Sequence, residues 1–301
     1  ASSVSPCTPM TWRSYAKVNL YLDVLGKRRD GYHTIETLFQ TVSLFDELTF
    51  SEDAHISMTC SREDLDTGSS NLVCQAARLL KESTGYPGGA RIHLNKRIPI
   101  AAGLAGGSGN AAAVLLALNA LWGLKLPLPR LVPLARKLGA DVPYCLYGGT
   151  VMARLRGDSL TQLPPISGIW FVLVHPPIAV SAGQVYSDPL LKHSNEISFA
   201  GRTPAFRKAI AALALGDLKG TVFNRMEVPV FEENRSLEVI KSQLLELGCE
   251  AAAMSGSGPT IFGICRSQQQ ALQVVKGLKQ QGVTEPTSIV STISVGVEPM
   301  L

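Results

Sequence analysis

From Ile98 to Leu124 the chain carries no charged residue, and this run constrains the fold more than any other feature. A stretch of that length must either span a membrane or lie buried in protein. It contains Gly103, Gly106, Gly107, Gly109 and Gly123, with Ser108, Asn110 and Asn119. Its apolar heart, Ala111 to Leu118, is shorter than the ~20 residues a bilayer requires. The run therefore reads as a glycine-rich loop feeding a helix, about Asn110 to Trp122, apolar nearly all round and so buried. A chain of 301 residues has the core to hold such a helix. It hides roughly three-quarters of its unfolded surface and divides on length into about two domains of ~150 residues.

Hydrophobic residues make up 46% and charged residues 17%, which excludes a disordered polyelectrolyte. The net charge of +4 is scattered rather than clustered. That excludes a nucleic-acid footprint and suits a small phosphorylated substrate. Six cysteines, at 7, 60, 74, 145, 249 and 265, form no Cys-x-x-Cys pair, and with isolated histidines they give no zinc spacing, so no metal site is expected. They read as reduced thiols of a cytosolic or stromal compartment. Ala1 is not an initiator; Ala1 to Thr11 reads as a processed transit-peptide end, which would place the protein in the plastid stroma, or as an expression scar, with a bacterial cytoplasm as the alternative.

Between residues 16 and 24, Ala16, Val18, Leu20, Leu22 and Val24 alternate with Lys17, Asn19, Tyr21 and Asp23. The spacing predicts a strand with one polar face. Asp30-Gly31 turns the chain back into an antiparallel partner, Tyr32 to Leu44. A helix is expected from Asn71 to Leu80, capped by Ser70 or Asn71 and stopped at Gly85. A strand over Ala90 to Leu94 leads through Lys96 into the loop. A helix from Pro129 stops at Gly139. A change of character between Gly148 and Pro165 puts a domain boundary near 162, giving domains 1–162 and 163–301. Beyond it come a strand (169–174), one long helix (229–247), strand-turn-strand (251–265), a helix (268–279) and a final strand (288–297). Irregular alternation of strands and helices favours α+β over a doubly wound sheet.

The loop Pro99-Ile100-Ala101-Ala102-Gly103-Leu104-Ala105-Gly106-Gly107-Ser108-Gly109-Asn110 carries the strongest chemical signal. Glycines let backbone approach a ligand, and a helix start offers unpaired N–H groups and the positive end of a dipole. Phosphate is the expected guest. The loop is not a Walker A motif, because the one Gly-Lys pair, Gly26-Lys27, precedes Arg28. It also fails Gly-x-Gly-x-x-Gly at Ala112. Asp141, after helix-stopping Gly139, is either the cap of the next helix or a carboxylate that accepts a proton. Lys17 reads as a solvated strand lysine or, beside Asn19, as a functional cation. Tyr32 and His33 are ordinary turn residues on their own.

Pro-x-x-x-Gly-Leu-x-Gly-Gly-Ser resembles the central phosphate motif of the GHMP kinases. Ala16-Lys17-Val18-Asn19-Leu20 resembles their first motif, and Met254-Ser255-Gly256-Ser257-Gly258-Pro259 their third. Asp30-Gly31-Tyr32-His33 and Gly139-Ala140-Asp141-Val142-Pro143 are similar to the branch that phosphorylates a cytidine-diphosphate-linked polyol in isoprenoid precursor synthesis. The likeness covers residues 13 to about 297. It implies an ATP-dependent kinase, with Mg2+ arriving on ATP, built from a ribosomal-protein-like nucleotide domain and a ferredoxin-like C-terminal domain.

The same resemblance implies a Lys17–Asp141 catalytic pair and ATP held by residues 99–110, with Asn71 and Lys96 near the adenine. Substrate would meet Asn19, Tyr32, His33, Tyr186, Ser255, Gly256 and Ser257, with Tyr32 and Tyr186 stacking on the cytosine and His33 at its edge. The implied partners are ATP and the polyol, with no nucleic acid and no membrane, for a monomer or weak homodimer. Ala105 replaces a common glycine. Gly109 stands where a second serine is usual, so one hydroxyl near the phosphates is expected to be missing. A homoserine or mevalonate type of GHMP kinase, or a catalytically silent nucleotide sensor, are the alternatives.

Overall fold

The structure, a computed structural model, describes residues 8–194 and 201–301. Cys7 and the stretch from Ala1 to it lie outside the described residues. Strand β1 (Met10–Lys27) pairs antiparallel with β2 (His33–Asp53), so the expected hairpin around Asp30-Gly31 is the middle of a longer one. Then follow β3 (Ser57–Cys60), α1 (Leu72–Thr84), β4 (Gly89–Asn95), α2 (Gly106–Leu121), α3 (Leu128–Leu138), α4 (Val142–Tyr147), β5 (Thr150–Leu155) and β6 (Ser159–Gln162). Beyond these come β7 (Trp170–Val174), α5 (Ala182–Ser187), α6 (Pro204–Ala214), β8 (Phe223–Asn224), α7 (Glu227–Glu233) and α8 (Arg235–Glu246). The chain ends with β9 (Ala252–Met254), β10 (Ile261–Cys265), α9 (Gln268–Gln280), β11 (Thr287–Ser291) and β12 (Val297–Pro299).

Two sheets result, in the mixed α+β layout expected. The first runs β12-β1-β2-β4-β3, with β5 and β6 extending from β2 and β8 joining β1. Long β2 gives Ile35–Gln40 to β5 and Glu47–Asp53 to β4. One face of this sheet is covered by α1 to α4. Phe39, Leu48, Phe50 and Ile92 meet Val73, Leu80, Val114 and Leu118 there. Helix α2 is buried on every side of its first thirteen residues except at Gly107, Ser108 and Leu116, as its lack of charge requires. Each Leu or Val it buries contributes about 1.5–3 kcal/mol.

The second sheet, β11-β7-β10-β9, is antiparallel. Helices α8 and α9 cover one face through Leu237, Ile240, Leu244, Val274 and Leu278. Its other face, with Phe171, Leu173, Phe262 and Ile264, packs on Val18, Leu20, Ile98 and Leu104. The two halves of the chain therefore share an apolar cluster at the loop and β1.

Four expectations need correction. Lys17 is not a solvated strand lysine, because every residue from Tyr15 to Val24 is buried. Irregularities between Tyr15 and Lys17 and between Asn19 and Tyr21 break the simple alternation, as β-bulges do when they re-aim side chains. Helix α2 begins at Gly106, so Gly106, Gly107 and Gly109 form its first turn rather than precede it, and Gly103 alone stays in the loop. The helix expected over 229–247 is two, broken at Asn234, whose extended backbone (φ −134°, ψ 72°) stops α7 while its side-chain amide donates to the Val230 carbonyl. The final strand is also two, β11 in the second sheet and β12 beside β1 in the first. Gly296 permits the crossing, because a Cβ there would lie 2.1 Å from the Cys145 oxygen.

His175, just past β7, is buried with its ring nitrogens against the Thr260 (3.2 Å) and Ser288 (3.0 Å) hydroxyls. Burial pushes its pKa down to about 4. An unfolded histidine titrates near ~6.5, so the unfolded chain takes the proton first. Stability is whole above that pH and falls as pH drops toward 4, by about 3 kcal/mol at most. His175→Gln should flatten this acid limb in urea unfolding measured from pH 7 to 4.5. Parallel limbs for native protein and variant would contradict the assignment.

Candidate active site

Three distant segments meet at one oxygen. The Gly103 carbonyl accepts from Lys17 Nζ at 3.0 Å and from Ser255 Oγ at 2.9 Å. Backbone bonds flank this point: Lys17 N–H donates to the Leu104 oxygen (3.0 Å) and Thr260 N–H to the Ala102 oxygen (3.2 Å). Asn19 N–H reaches Ser255 Oγ at 3.3 Å. Gly103 has φ +82°, and a Cβ on it would lie 2.1 Å from the Ser255 oxygen. Only glycine permits that approach. The contact fixes strand, loop and C-terminal turn as a single rigid corner.

Around this corner opens a cavity of about 870 Å³. Lys17, Asn19, Gly103, Ala105, Ser108 and Asp141 line its inner part, with Gly256 and Ser257 from the third motif. Tyr32, His33 and Tyr186 line it farther out. Ala101 and Ala105 join Gly103 at positive φ (52° and 55°). Alanine there costs about 1–2 kcal/mol, which is a physical reason for the glycine that the resemblance leads one to expect at position 105. No side chain caps α2, so its first-turn N–H groups are free to meet an anion. Ser108 lines the cavity, whereas Pro99 is half-buried, Ile100, Ala101 and Gly107 are exposed, and Ala102 and Leu104 are core residues.

Lys17 is buried, with its ammonium on Asn19 Oδ1 (2.5 Å) and the Gly103 oxygen. Burial pulls its pKa down, and the charge of Asp141 partly offsets this. Among the described residues no direct ion pair joins Lys17 to Asp141; they face the same cavity instead. Asp141 holds the N-cap position of α4, yet its carboxylate makes no capping bond. It is thus left for the cavity. A Cβ on Gly157, in the β5–β6 turn, would lie 3.8 Å from its Oδ1, so that turn walls the carboxylate in.

In the outer part the His33 ring stacks on Tyr186 at 4.6 Å and meets His193 edge-on at 5.5 Å. Burial lowers the His33 pKa, with His193 and Lys27 adding to the effect. Burial pushes Tyr186 up to about 12, helped by Asp141. Tyr32 is half-exposed beneath the Arg156 guanidinium, 4.2 Å from its ring centre. Arg156, Lys27 and His193 line the cavity but escaped the sequence reading. No spacing singles out a lone cation on a turn.

Four residues that the resemblance puts at the nucleotide are held by contacts within the protein. Asn71 caps α1, accepting from Val73 N–H at 2.8 Å. Lys96 turns its ammonium into a buried ion pair with Asp46 at 2.7 Å. Asn110 is buried beside that pair. Gly109 faces β1, where a Cβ would lie 3.5 Å from Ser14 Cβ and from the Tyr15 oxygen. A serine at 109 would point into the protein, so the expected loss of a hydroxyl from the cavity does not arise.

Gly103→Ala should cost at least about 1–2 kcal/mol from left-handed backbone alone, with more from the Ser255 contact. Thermal melting with a parallel nucleotide titration checks this. An unchanged midpoint would mean that the corner is loose.

Comparison with known proteins agrees with this geometry. Residues 71–149 match the model for the GHMP kinases N terminal domain, and residues 197–284 that for the GHMP kinases C terminal. The 4-diphosphocytidyl-2-C-methyl-D-erythritol kinase of Acetivibrio thermocellus is 40% identical over 89% of this chain and 94% of its own. The enzyme of that name from Enterococcus faecalis is also 40% identical, over 93% and 98%. A crystal structure of 4-(cytidine 5'-diphospho)-2C-methyl-D-erythritol kinase superposes with TM-score 0.76 at 35% identity, covering 94% of this chain and 99% of the other. A homoserine kinase from Cytophaga hutchinsonii, at 22% identity and TM-score 0.75 over 100% and 99%, shares the fold. The chain belongs to the GHMP kinases and, within them, to the 4-diphosphocytidyl-2-C-methyl-D-erythritol kinase family.

Proposed function

We infer that this chain transfers the γ-phosphoryl group of ATP to the 2-hydroxyl of 4-diphosphocytidyl-2-C-methyl-D-erythritol, in the non-mevalonate route to isoprenoid precursors. The observation that carries the reading is one cavity shared by Lys17 and Asp141, the uncapped start of α2, and a cluster of aromatic rings. The first-turn N–H groups and Ser108 hold the ATP phosphates. Asp141 accepts the proton of the 2-hydroxyl as that oxygen bonds to the γ-phosphorus and the bond to ADP breaks. Lys17 stabilises the charge developing on the oxygen, and Asn19 and the Gly103 carbonyl fix its ammonium in place. Ser255 acts from beneath, through Gly103.

The outer rings take the cytosine, with Tyr32 and Tyr186 as stacking faces and His33 at the base edge once its ring swings off the Tyr186 face that it covers. Arg156, Lys27 and His193 supply positive charge for the diphosphate. Among the described residues no group of three or more His, Cys, Asp or Glu is placed to hold a metal ion. Mg2+ fits as a companion of ATP, where it neutralises phosphate charge.

A division into domains 1–162 and 163–301 is proposed on the two sheets, with β8 and β12 returning to the first. A reducing compartment, bacterial cytoplasm or plastid stroma, is supported by free thiols at Cys60, Cys74, Cys145, Cys249 and Cys265. No helix among the described residues is long and apolar enough to cross a membrane. A monomer or weak homodimer completes the proposal.

Asp141→Asn should lower kcat by about 10²–10⁴-fold and leave ATP affinity nearly unchanged, read by ADP release and calorimetry. Near-native turnover would reduce Asp141 to a helix-start residue. Base recognition is tested separately. Exchanging cytosine for uracil turns a donor amine into an acceptor carbonyl and strands a buried partner, at about 1–3 kcal/mol. The uridine-linked substrate should show a correspondingly lower kcat/KM. Equal use of both substrates, or of methylerythritol phosphate without a base, would leave only a generic small-alcohol kinase.

A further inference from the structure

A second buried polar centre lies behind the phosphate loop, and the transfer chemistry does not use it. Asp46, on β2, is wholly buried. Its Oδ1 accepts from the N–H groups of Arg97 (2.6 Å) and Ile98 (2.8 Å). Its Oδ2 accepts from Lys96 Nζ (2.7 Å) and Asn110 Nδ2 (2.9 Å). Asn110 returns its own oxygen to Lys96 Nζ at 3.1 Å and donates to Ser14 Oγ at 2.9 Å. Every acceptor direction of the carboxylate is used, and an acceptor-only group is what four converging donors require. Lys96 supplies the counter-charge that makes a buried carboxylate tolerable. Its ammonium is also wedged under the first residue of α2, since a Cβ on Gly106 would lie 2.8 Å from it.

The placement matters more than the pairing. Ile98 is the last residue before the loop, and Asn110 lies in the second turn of the helix that follows it. One carboxylate therefore pins both ends of the segment that holds Ala101, Gly103 and Ala105 at positive φ. Strained backbone persists only where its surroundings over-determine it. We propose that Asp46 is a positioning residue that keeps the phosphate loop in its binding conformation by clasping residues 97–98 and Asn110 together. It touches neither ATP nor acceptor. The proposal rests on the reading of residues 103–108 as the phosphate cradle.

The test uses two variants that cut the link into α2 from opposite sides. Asp46→Ala combined with Lys96→Met removes both charges at once, so net charge behind the loop is unchanged. Without the carboxylate, residues 97 and 98 and Asn110 no longer share an acceptor. Asn110→Ala cuts the same link and leaves the ion pair whole, so it carries the test if the double variant does not fold. Two readouts are taken. Hydrogen–deuterium exchange of nucleotide-free protein should speed up over residues 101–110 and stay native in β7 and β10. The KM for ATP should rise by about 10- to 100-fold, as expected for misplacement on the order of an ångström, while the acceptor KM stays within about twofold. A merely structural role would move both KM values or neither. A folded variant with native exchange over 101–110 and a native ATP KM overturns the proposal. Lack of ATP-dependent transfer in the native protein would instead sink the kinase reading, and exchange without nucleotide would still decide the clasp.

Discussion

The Gly103 carbonyl is the point on which the site depends. Lys17 and Ser255, more than 200 residues apart in sequence, both donate to it. Both hold the same oxygen, so β1, the loop and the C-terminal turn are tied at one point. Backbone bonds on either side, Lys17 to Leu104 and Thr260 to Ala102, remove the remaining freedom. Beneath them the apolar cluster of Val18, Leu20, Leu104, Phe262 and Ile264 is continuous between the two sheets. The cleft is therefore built on a packed floor. Functional groups carried by such a floor hold their positions more closely than groups on free loops.

Much of this was legible in the sequence because it depends on local rules. Asn71 and Gly85 bound α1 as a cap and a left-handed stop should. The uncharged run became a helix buried over most of its length. The motifs around Lys17, Gly103 and Ser255 converge as a resemblance in order along the chain implied. What stayed hidden depends on neighbours. Alternation in β1 predicts one polar face but not what covers it; a second sheet and the loop do, so Asn19 bonds to Thr37 and Asp23 pairs with Arg225 inside the protein. Asp46 has no distinguishing context in sequence, because its donors arrive from residues 50 to 64 positions away. Arg156 gains meaning only through the turn that brings it over Tyr32.

The same limit applies to Lys96 and Asn110, which flank the loop in sequence and which the resemblance puts at the nucleotide. Their side chains bond to Asp46 and to each other inside the protein. Asn110 lies on the inner face of α2, four residues after the helix start, and Lys96 leaves β4 toward the sheet. Gly109 follows the same inner face. Ser108 faces the cavity while its two C-terminal neighbours face the interior, as a helical sweep of about 100° per residue requires.

Two buried lysines show how burial separates a structural cation from a functional one. Lys96 has a carboxylate at 2.7 Å and an amide oxygen at 3.1 Å. Its charge is compensated where it sits. Lys17 has only neutral oxygens within hydrogen-bonding reach, and Asp141 acts on it across the cavity. A buried ammonium with neutral partners is costly, which is why its pKa falls. That cost diminishes when negative charge enters the cavity. The site therefore favours an anionic or charge-developing guest beside Lys17, whereas a neutral guest would leave the ammonium as poorly compensated as before.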